Sequence, residues 1–343
     1  MNMFLEQKRK RKIVEKAIKN FDLRLDDLTI FTEGATGNYL YTPIASALAG
    51  AKHVYAITHD SIYGSAKSVK SLIMDEAKKL GVDDKISVIF EKDTVALSKS
   101  DIVTNTGFVR PIDKEMISNL KTTAVVPLMY ESWEIRKDDI DIDECRRKGI
   151  MVFGTNEESP PLDMMRYSGF LVSKLLFESG LGVHMDKILI LGSGRIGRNI
   201  ANFMHNNEID HTWGDIKSLQ DIDLSNYDAI IIAEHYYDSE IIGENGVLKS
   251  EDIARINPLI QIIHICGNVD IQDIRKHCLS IHPSSVKPFG YMSVTADYIG
   301  PKATIELNVA GLKVGEIMAR NRLAYDFLTA YKKSLEHNLV MKL

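Results

Sequence analysis

The chain contains the stretch Lys187-Ile-Leu-Ile-Leu-Gly192-Ser-Gly194-Arg-Ile-Gly197-Arg-Asn-Ile-Ala, in which a short apolar run leads directly into three glycines at G-x-G-x-x-G spacing. The run of Ile and Leu predicts a strand buried on both faces, and residues 198–206 predict an amphipathic helix. Gly192 would make the tight turn, Gly194 would let the backbone approach a pyrophosphate, and Gly197 would let the helix pack on the strand. The helix N-terminus would then offer N–H groups to the phosphates.

An acidic residue stands where the second strand of this unit should end. Asp215 closes the segment His211-Thr-Trp-Gly-Asp215, and its carboxylate could accept hydrogen bonds from an adenosine ribose. The same charge would repel a 2′-phosphate, which favours NAD over NADP. The alternative is a glycine turn in an ordinary α/β domain, with Asp215 in solvent. The cofactor-binding residues predicted in this segment are Gly192, Ser193, Gly194, Arg195, Ile196, Gly197 and Asp215.

Composition and charge exclude several classes of function. The 343 residues are 45% apolar and 26% charged, as in globular proteins that bury substantial cores. A net charge of −5 gives no electrostatic reason for binding nucleic acid or acidic membranes. Only three cysteines occur, which argues for a reducing compartment, and no apolar run approaches the length of a membrane span. We therefore expect a cytoplasmic protein, and we interpret the basic run 8–12 as the solvated face of a first helix.

Strands alternate with helices along the chain, which predicts an α/β protein with doubly wound parallel sheets. Polar loops follow several strands before residue 158, at the sheet edge where such folds bind ligands. The loop Gly34-Ala-Thr-Gly-Asn38 resembles the opening turn of short-chain dehydrogenases, but Glu33 would place a carboxylate beside the phosphate. We therefore predict a substrate pocket rather than a second nucleotide site. Its predicted substrate-binding residues are Glu33, Thr36, Asn38, Arg110 and Tyr130, and its candidate catalytic residues are Asn105 and Glu131, with surface or interdomain packing as the alternative.

Several segments together resemble the D-isomer-specific 2-hydroxyacid dehydrogenases. Residues 139–153 are similar to the helix and strand that close the substrate domain of that family, and the Gly192 turn is similar to its cofactor turn. Residues 247–258 resemble its L-x-x-E-x-L-A-x-M-K-P helix, and residues 295–311 resemble its T-P-H-x-G-G-A-T-x-E-A stretch. The resemblance implies two Rossmann-like doubly wound domains with NAD and substrate in an interdomain cleft.

The domain boundaries follow from this resemblance together with Pro160-Pro161, since proline disfavours helix before it and begins helix well. We expect residues 1–158 to form the substrate or catalytic domain. Residues 159–304 would form the NAD-binding domain, and a C-terminal helix over about 305–343 would pack back on the first domain.

Two positions depart from the family pattern. Cys266 stands where the family has the arginine that holds the substrate carboxylate, and a neutral thiol cannot make that bidentate ion pair. Tyr298, or Asp297 with a shifted gap, stands where the family has its general acid–base histidine. An unperturbed tyrosine has a pKa of about 10, so Tyr298 is a candidate acid from its position alone. The resemblance therefore implies the fold and the cofactor more than the substrate.

A weaker resemblance concerns the turn Gly267-Asn268-Val269-Asp270, which is similar to the N-x-G-H-F-D turn of S-adenosylhomocysteine hydrolases, enzymes that hold NAD tightly. Their D-G-x-x-R-x-T-D helix has no counterpart in residues 162–179. Gly267 and Asn268 are nevertheless predicted to contact the cofactor. His235, which follows another strand of this unit, is predicted to do the same.

Lys302 follows Tyr298 by four positions, the spacing of the proton-transferring tyrosine and lysine in short-chain dehydrogenases. Gly300-Pro301 lies between them and should break any shared helix. Lys302 is nevertheless kept as a candidate catalytic residue. We predict no metal site, because the spacing of the following residues fits no usual zinc pattern: His264, Cys266, His277, Cys278 and His282.

These observations favour an NAD-dependent oxidoreductase that acts on a small polar metabolite, either a hydroxy acid or a sugar-like compound. One alternative is an enzyme that uses tightly bound NAD as an internal redox catalyst, as some hydrolases, lyases and epimerases do. Another is a non-catalytic sensor that binds a dinucleotide. The expected partners are a small-molecule substrate and a second copy of the chain in a homodimer, with no nucleic acid and no membrane.

Overall fold

The structure, a computed structural model, describes residues 3–216 and 222–343, with side chains from residue 5 onward. The chain divides into two compact units. Unit 1 comprises Met1–Asp163 and Pro301–Leu343, and unit 2 comprises Met164–Gly300. Among the described residues, no helix combines the length and the apolar character that crossing a membrane requires.

The first part of unit 1 alternates helices and strands because local end signals separate them. Ser65, Asp93 and Asp113 each accept a hydrogen bond from a backbone N–H in the first turn of the helix that follows. Gly149 ends a helix in the left-handed conformation that glycine adopts without strain. The elements are α1 (Met3–Asn20), β1 (Thr29–Glu33), α2 (Tyr41–Leu48), β2 (His53–Ile57), α3 (Ala66–Lys79), β3 (Ile86–Ile89), α4 (Thr94–Lys99), β4 (Ile102–Val103), α5 (Lys114–Asn119), β5 (Val125–Pro127), α6 (Ile142–Lys148) and β6 (Met151–Thr155).

Unit 2 is built around a second parallel sheet whose central strands are buried on both faces. The strands β7 and β9 are buried at every position, as the continuous Ile and Leu runs predict. The elements are α7 (Tyr167–Glu178), β7 (Ile188–Leu191), α8 (Arg195–Asn206), β8 (His211–Gly214), β9 (Ala229–Ala233), β10 (Glu240–Ile242), α9 (Ser250–Ile256), β11 (Gln261–Cys266), β12 (Asn268–Val269), α10 (Ile271–Lys276) and β13 (Ser280–His282).

After unit 2 the chain returns to unit 1 as α11 (Pro301–Ala324), α12 (Phe327–Leu335) and β14 (Val340–Met341). The prediction of a helix reaching about residue 343 is wrong for the last residues. The helix is interrupted before Asp326, whose side chain accepts from the Thr329 N–H and starts α12. The chain then extends, and β14 pairs antiparallel with β6.

The two sheets have the strand orders of doubly wound folds. In unit 1 the order is β14-β6-β5-β4-β1-β2-β3, and β1 to β6 are parallel. In unit 2 the order is β13-β11-β9-β7-β8, all parallel, beside a separate pair formed by β10 and β12. The predicted fold class, α/β with two Rossmann-like parallel sheets, is confirmed. The strand order reverses between β1 and β4 and between β7 and β9, because successive strands are added first on one side and then on the other. Ligands bind outside the carboxyl ends of the strands at such switch points in this class of fold.

Candidate functional site

The glycine turn of unit 2 brings backbone atoms too close for side chains. A Cβ atom built on Gly192 would lie 2.2 Å from the Ala233 carbonyl oxygen, and one on Gly197 would lie 2.4 Å from the Gly192 carbonyl oxygen. Because both distances are far inside van der Waals contact, β7, β9 and α8 can approach this closely only through glycine. The predicted strand, turn and helix are therefore confirmed.

Helix α8 starts directly after the turn. Gly194 precedes the helix and has no side chain with which to cap it. Arg195 is the first helical residue, whereas Ile196 is buried in the core and can face a ligand only through its backbone. The first N–H groups of a helix have no partner within the helix and carry partial positive charge, so this end attracts anions.

Asp215 lies one residue beyond the end of β8, beside the glycine turn. The Gly192 N–H donates to the Gly214 carbonyl oxygen at 3.3 Å, and Trp213 Nε1 donates to the Gly192 carbonyl oxygen at 2.7 Å. These bonds hold the turn and the end of β8 together at one edge of the sheet. Asp215 therefore stands where its predicted role requires it, and the role itself stays a prediction.

A buried carboxylate also lies on the turn, and it is not among the predicted site residues. Glu234, fully buried after β9, accepts hydrogen bonds through Oε2 from both the N–H and the hydroxyl of Ser193, each at 2.9 Å. Its other oxygen, Oε1, accepts from the Tyr236 N–H at 2.7 Å. The one signal that points to it in the sequence is its position after a buried strand at the switch point of the sheet.

His235 covers the second glycine. A Cβ atom built on Gly194 would lie 2.1 Å from His235 Cε1, so the imidazole ring rests on the bare backbone. Burial lowers the pKa of His235 to about 4, with Glu234 opposing the shift and Arg195 adding to it. The ring is therefore neutral at neutral pH. The structure thus places this predicted cofactor residue on the turn.

The residues after β11 are fixed by a buried histidine. His264 Nε2 lies 3.1 Å from the Gly267 carbonyl oxygen, to which it donates, and Nδ1 then accepts from the Ser293 hydroxyl at 2.8 Å. Burial lowers the pKa of His264 to about 4, which keeps it neutral. Cys266 is buried as well, and Asn268 Nδ2 donates to the Asp238 carbonyl oxygen at 2.8 Å. These bonds stabilise the loop that holds Gly267 and Asn268.

Tyr298 packs against α7. The sequence predicts it at the end of a strand segment, but it belongs to a short 3-10 helix, Ala296–Ile299. Its hydroxyl donates to Glu178, and Lys174 Nζ lies 3.8 Å from its ring centroid. Burial and Glu178 raise the pKa of Tyr298 above its ordinary value, the opposite of what an acid working near neutral pH needs. Its catalytic role stays a prediction that this setting does not support.

Lys302 lies in the first turn of α11, where its Nζ is 3.6 Å from Glu306. Gly300 ends the 3-10 helix of Tyr298 and Pro301 begins α11. No shared helix therefore presents Tyr298 and Lys302 on one face, as the intervening Gly-Pro predicts.

In unit 1, the structure gathers polar side chains where β1 and β4 end. Glu33, the last residue of β1, is buried, and its Oε2 accepts from the Phe108 N–H at 3.1 Å. A Cβ atom on Gly107 would lie 2.8 Å from that same oxygen. Burial raises the pKa of Glu33, while the Phe108 N–H and Arg110 partly oppose the shift.

Arg110 and Tyr130 meet at a single carboxylate. Arg110 Nη1 donates to Asp139 Oδ2 at 2.7 Å, and the Tyr130 hydroxyl donates to the same oxygen at 3.3 Å. Arg136 Nη1 reaches it at 3.3 Å as well. Burial and Asp139 raise the pKa of Tyr130, so its hydroxyl stays protonated. Asp139 is not among the predicted site residues, because nothing local connects it with Arg110.

Asn105 and Glu131 lie at the ends of β4 and β5. Asn105 is 1% exposed, and its Oδ1 accepts from the Met129 N–H at 2.8 Å. Its Nδ2 is buried and has no hydrogen-bond partner among the described residues. Glu131 is engaged through both oxygens, accepting from Trp133 Nε1 at 3.0 Å and from the Glu157 N–H at 3.3 Å. Of the two, Asn105 is the one with an unused donor.

The remaining predicted substrate residues lie farther along the loop after β1. Thr36 is half-buried, with its methyl group facing Gly64, and Asn38 is buried beside Tyr41 and Asn308. The structure thus brings Glu33 and Arg110 together and turns Asn38 towards α11. Within the part of the chain that is described, no group of three or more His, Cys, Asp or Glu side chains could hold a metal ion.

Comparison with known proteins shows similarity of fold only. No protein-family model matches the chain, and neither does any curated protein sequence. A dipicolinate synthase protein from Bacillus halodurans is similar at a TM-score of 0.53 and 12% identity, over 87% of this chain and 99% of that one. Its counterpart, a dipicolinate synthase protein from Bacillus subtilis, gives 0.53 and 12%, over 92% and 100%.

A 2-hydroxyacid dehydrogenase from Ketogulonicigenium vulgare also matches, with a TM-score of 0.44 and 13% identity, over 87% of this chain and 95% of that one. Structures of the family that the sequence motifs resemble are therefore among the matches. The shared fold itself rests on the two dipicolinate synthase structures.

Proposed function

We propose that unit 2 binds NAD at the Gly192 turn and that the protein is an NAD-dependent oxidoreductase acting on a small polar metabolite. The observation that carries the proposal is the geometry of the three glycines. Gly192 and Gly197 are required by backbone contacts, but Gly194 has φ −87° and ψ −172°, which any residue can adopt. Its lack of a side chain leaves the space that the His235 ring fills, and a pyrophosphate binds at this position in dinucleotide folds.

The groups at the turn would suit a dinucleotide once the His235 ring has moved off Gly194. The bare backbone at Gly194 and the start of α8 would hold the pyrophosphate, and Asp215 would accept hydrogen bonds from the ribose hydroxyls. Bound NAD would supply a nicotinamide carbon that accepts or gives a hydride. The neutral imidazole of His235 can give or accept a hydrogen bond without adding charge beside the turn.

We place the substrate in unit 1, at the switch point between β1 and β4. The buried Asn105 amide has a free donor there that requires an acceptor such as a carbonyl, carboxylate or hydroxyl oxygen. Glu33, with its raised pKa, would hold or move a proton at its carboxyl group, and Arg110 would contribute positive charge. This supports a small substrate with oxygen acceptors, and it does not distinguish a hydroxy acid from a sugar.

Calorimetric titration with NAD tests the proposal. We expect the wild-type protein to bind NAD, and we expect Gly194→Ala to bind it at least about tenfold more weakly, because the methyl group meets the His235 ring and takes the space that the phosphate needs. Gly182→Ala is the matched control, since a Cβ atom there meets only Asp186 Oδ2 at 3.9 Å. Unchanged binding in Gly194→Ala, or no binding by the wild type, would contradict the NAD site.

Turnover tests the enzymatic part separately. A panel of hydroxy acids and polyols, followed through the absorbance of NADH, should identify a substrate whose oxidation is lost in Asn105→Ala. A protein that binds NAD but turns over none of these compounds would instead favour a role as a sensor.

A further inference from the structure

The glycine turn of unit 2 is occupied by two side chains of the protein itself. Glu234 accepts hydrogen bonds from the N–H and the hydroxyl of Ser193, and the ring of His235 rests on Gly194. Both residues come from the segment that follows β9, on the other side of the switch point from β7. A pyrophosphate bound at Gly194 needs this space and these donors.

We propose that Glu234 is an internal competitor for the phosphate groups of the dinucleotide and thereby sets the affinity of unit 2 for phosphate-bearing ligands. This inference rests on the proposed function and concerns the same turn. The carboxylate imitates a phosphate oxygen, since it is anionic and accepts hydrogen bonds from the turn. Binding of the dinucleotide requires that Glu234 leave Ser193, because two anions cannot share the same donors at such short range.

Replacing Glu234 with glutamine would weaken its hydrogen bonds to the turn as well as remove its charge. One oxygen accepts from Ser193 and the other from the Tyr236 N–H, so the side chain uses two acceptors at once. The amide of Glu234→Gln has only one oxygen, and its NH₂ group would face one of these N–H groups without bonding. The substitution therefore removes the charge and weakens the hold of the side chain on the turn. Arg195 keeps its positive charge beside the site.

The inference predicts different effects for ligands with and without phosphate. We expect Glu234→Gln to bind NAD at least about tenfold more tightly than the wild type, because the charged competitor for the Ser193 donors is removed. Adenosine, which has no phosphate, should bind both proteins with the same affinity. Glu244→Gln, an exposed glutamate of the same unit, is the charge-matched control and should behave as the wild type does.

A second variant guards against misfolding of Glu234→Gln. Ser193→Ala removes one of the two hydrogen bonds on Glu234 Oε2 but keeps the Ser193 backbone N–H for the phosphate. It should bind NAD more tightly than the wild type, by a smaller factor than Glu234→Gln. Thermal unfolding without NAD checks that each variant is folded.

The outcomes separate this inference from the proposed function. If the wild type binds NAD and both variants bind it equally or more weakly, the competition is overturned and the NAD site stands. If Glu234→Gln strengthens adenosine binding as much as NAD binding, the side chain acts by general obstruction, and competition with phosphate is again overturned. If none of these proteins binds NAD, the proposed function fails and the inference fails with it.

Discussion

Two carboxylates flank the glycine turn, and their positions give them different chemistry. Asp215 follows β8 and Glu234 follows β9, and these strands lie on either side of β7. Glu234 accepts a hydrogen bond from the Ser193 N–H of the turn itself, where a phosphate binds in this class of fold. Asp215 stands beyond Gly214, where a ribose belongs in this class of fold. Under the proposed function, an acidic residue beside this turn would favour or oppose the binding of NAD according to the strand that carries it.

The position of Asp215 predicts the choice between NAD and NADP. We expect Asp215→Asn to bind NADP about tenfold or more tightly than the wild type, because the substitution removes the repulsion of the 2′-phosphate. Affinity for NAD should fall a few-fold, since a charged acceptor becomes a neutral one. Calorimetric titration with both cofactors measures the two changes.

Asp210→Asn is the matched control for this experiment. Asp210 precedes β8 at the opposite end of the same strand and is exposed, so the net charge changes equally without altering the predicted ribose site. The assignment of Asp215 is contradicted if the two variants change the NADP affinity to the same extent.

The residue contacts divide into those that the sequence could predict and those that it could not. The roles of Gly192 and Gly197 follow from spacing, because the strand, the turn and the helix are consecutive in the chain. Glu234 meets Ser193 across 41 positions, and Arg110 meets Asp139 across 29. Such pairs depend on which strands and loops become neighbours, and a single sequence does not record this.

At the scale of elements, helix α11 packs on the sheet of unit 1 through small residues. A Cβ atom on Gly315 would lie 2.8 Å from Ile102 Cγ2 and 3.0 Å from Pro127 Cγ, both side chains of central strands. Gly311 stands one turn earlier, where a Cβ atom would lie 2.4 Å from Met129 Sδ. The helix can therefore lie this close to β4 and β5 only because two of its positions are glycine.

This packing predicts a cost for Gly315→Val. The added carbons would overpack against Ile102 and Pro127, and we expect a loss of about 1–3 kcal/mol in the free energy of unfolding. The higher helix propensity of valine offsets only a few tenths of this. Chemical denaturation followed by circular dichroism measures the change. Ala324→Val, at the exposed end of the same helix, should stay within about 0.5 kcal/mol of the wild type, and an equal loss in both would contradict packing as the cause.

Whether the sequence predicts an element depends on the length of the element and on whether its hydrogen-bond partners are near or far along the chain. Helix α8 and strand β7 carry their patterns locally and lie close to where the sequence predicts them. No sequence pattern predicts the short strands β10, β12 and β14. Their two or three residues have no period of their own, and they are strands because of partners far along the chain.

At the scale of the whole molecule, each unit contains a switch point with polar groups. Unit 1 has Glu33, Asn105 and Arg110 near the ends of β1 and β4, and unit 2 has the glycine turn. The loop Gly34-Ala-Thr-Gly-Asn38 in unit 1 could be mistaken for a nucleotide turn. Its neighbour Glu33 is buried, its carboxyl group accepts from the Phe108 N–H, and Arg110 lies near enough to oppose the rise in its pKa that burial causes. A carboxyl group therefore already occupies the position that a phosphate would take. The Glu33 carboxyl group accepts from the Phe108 N–H there, as Glu234 accepts from the Ser193 N–H in unit 2.

The assignment of the two units is tested on the intact chain by hydrogen exchange. We expect saturating NAD to slow exchange in peptides covering 192–200 and 229–236 of unit 2, because the ligand would bind the backbone of the turn and restrain the segment after β9. Peptides covering 33–40 of unit 1 should be less protected. Gly194→Ala at the same NAD concentration is the control, since weaker binding should remove the protection that NAD gives the wild type. Strong protection of 33–40 with 192–200 unaffected would move the nucleotide site to unit 1 and reverse the roles of the two units.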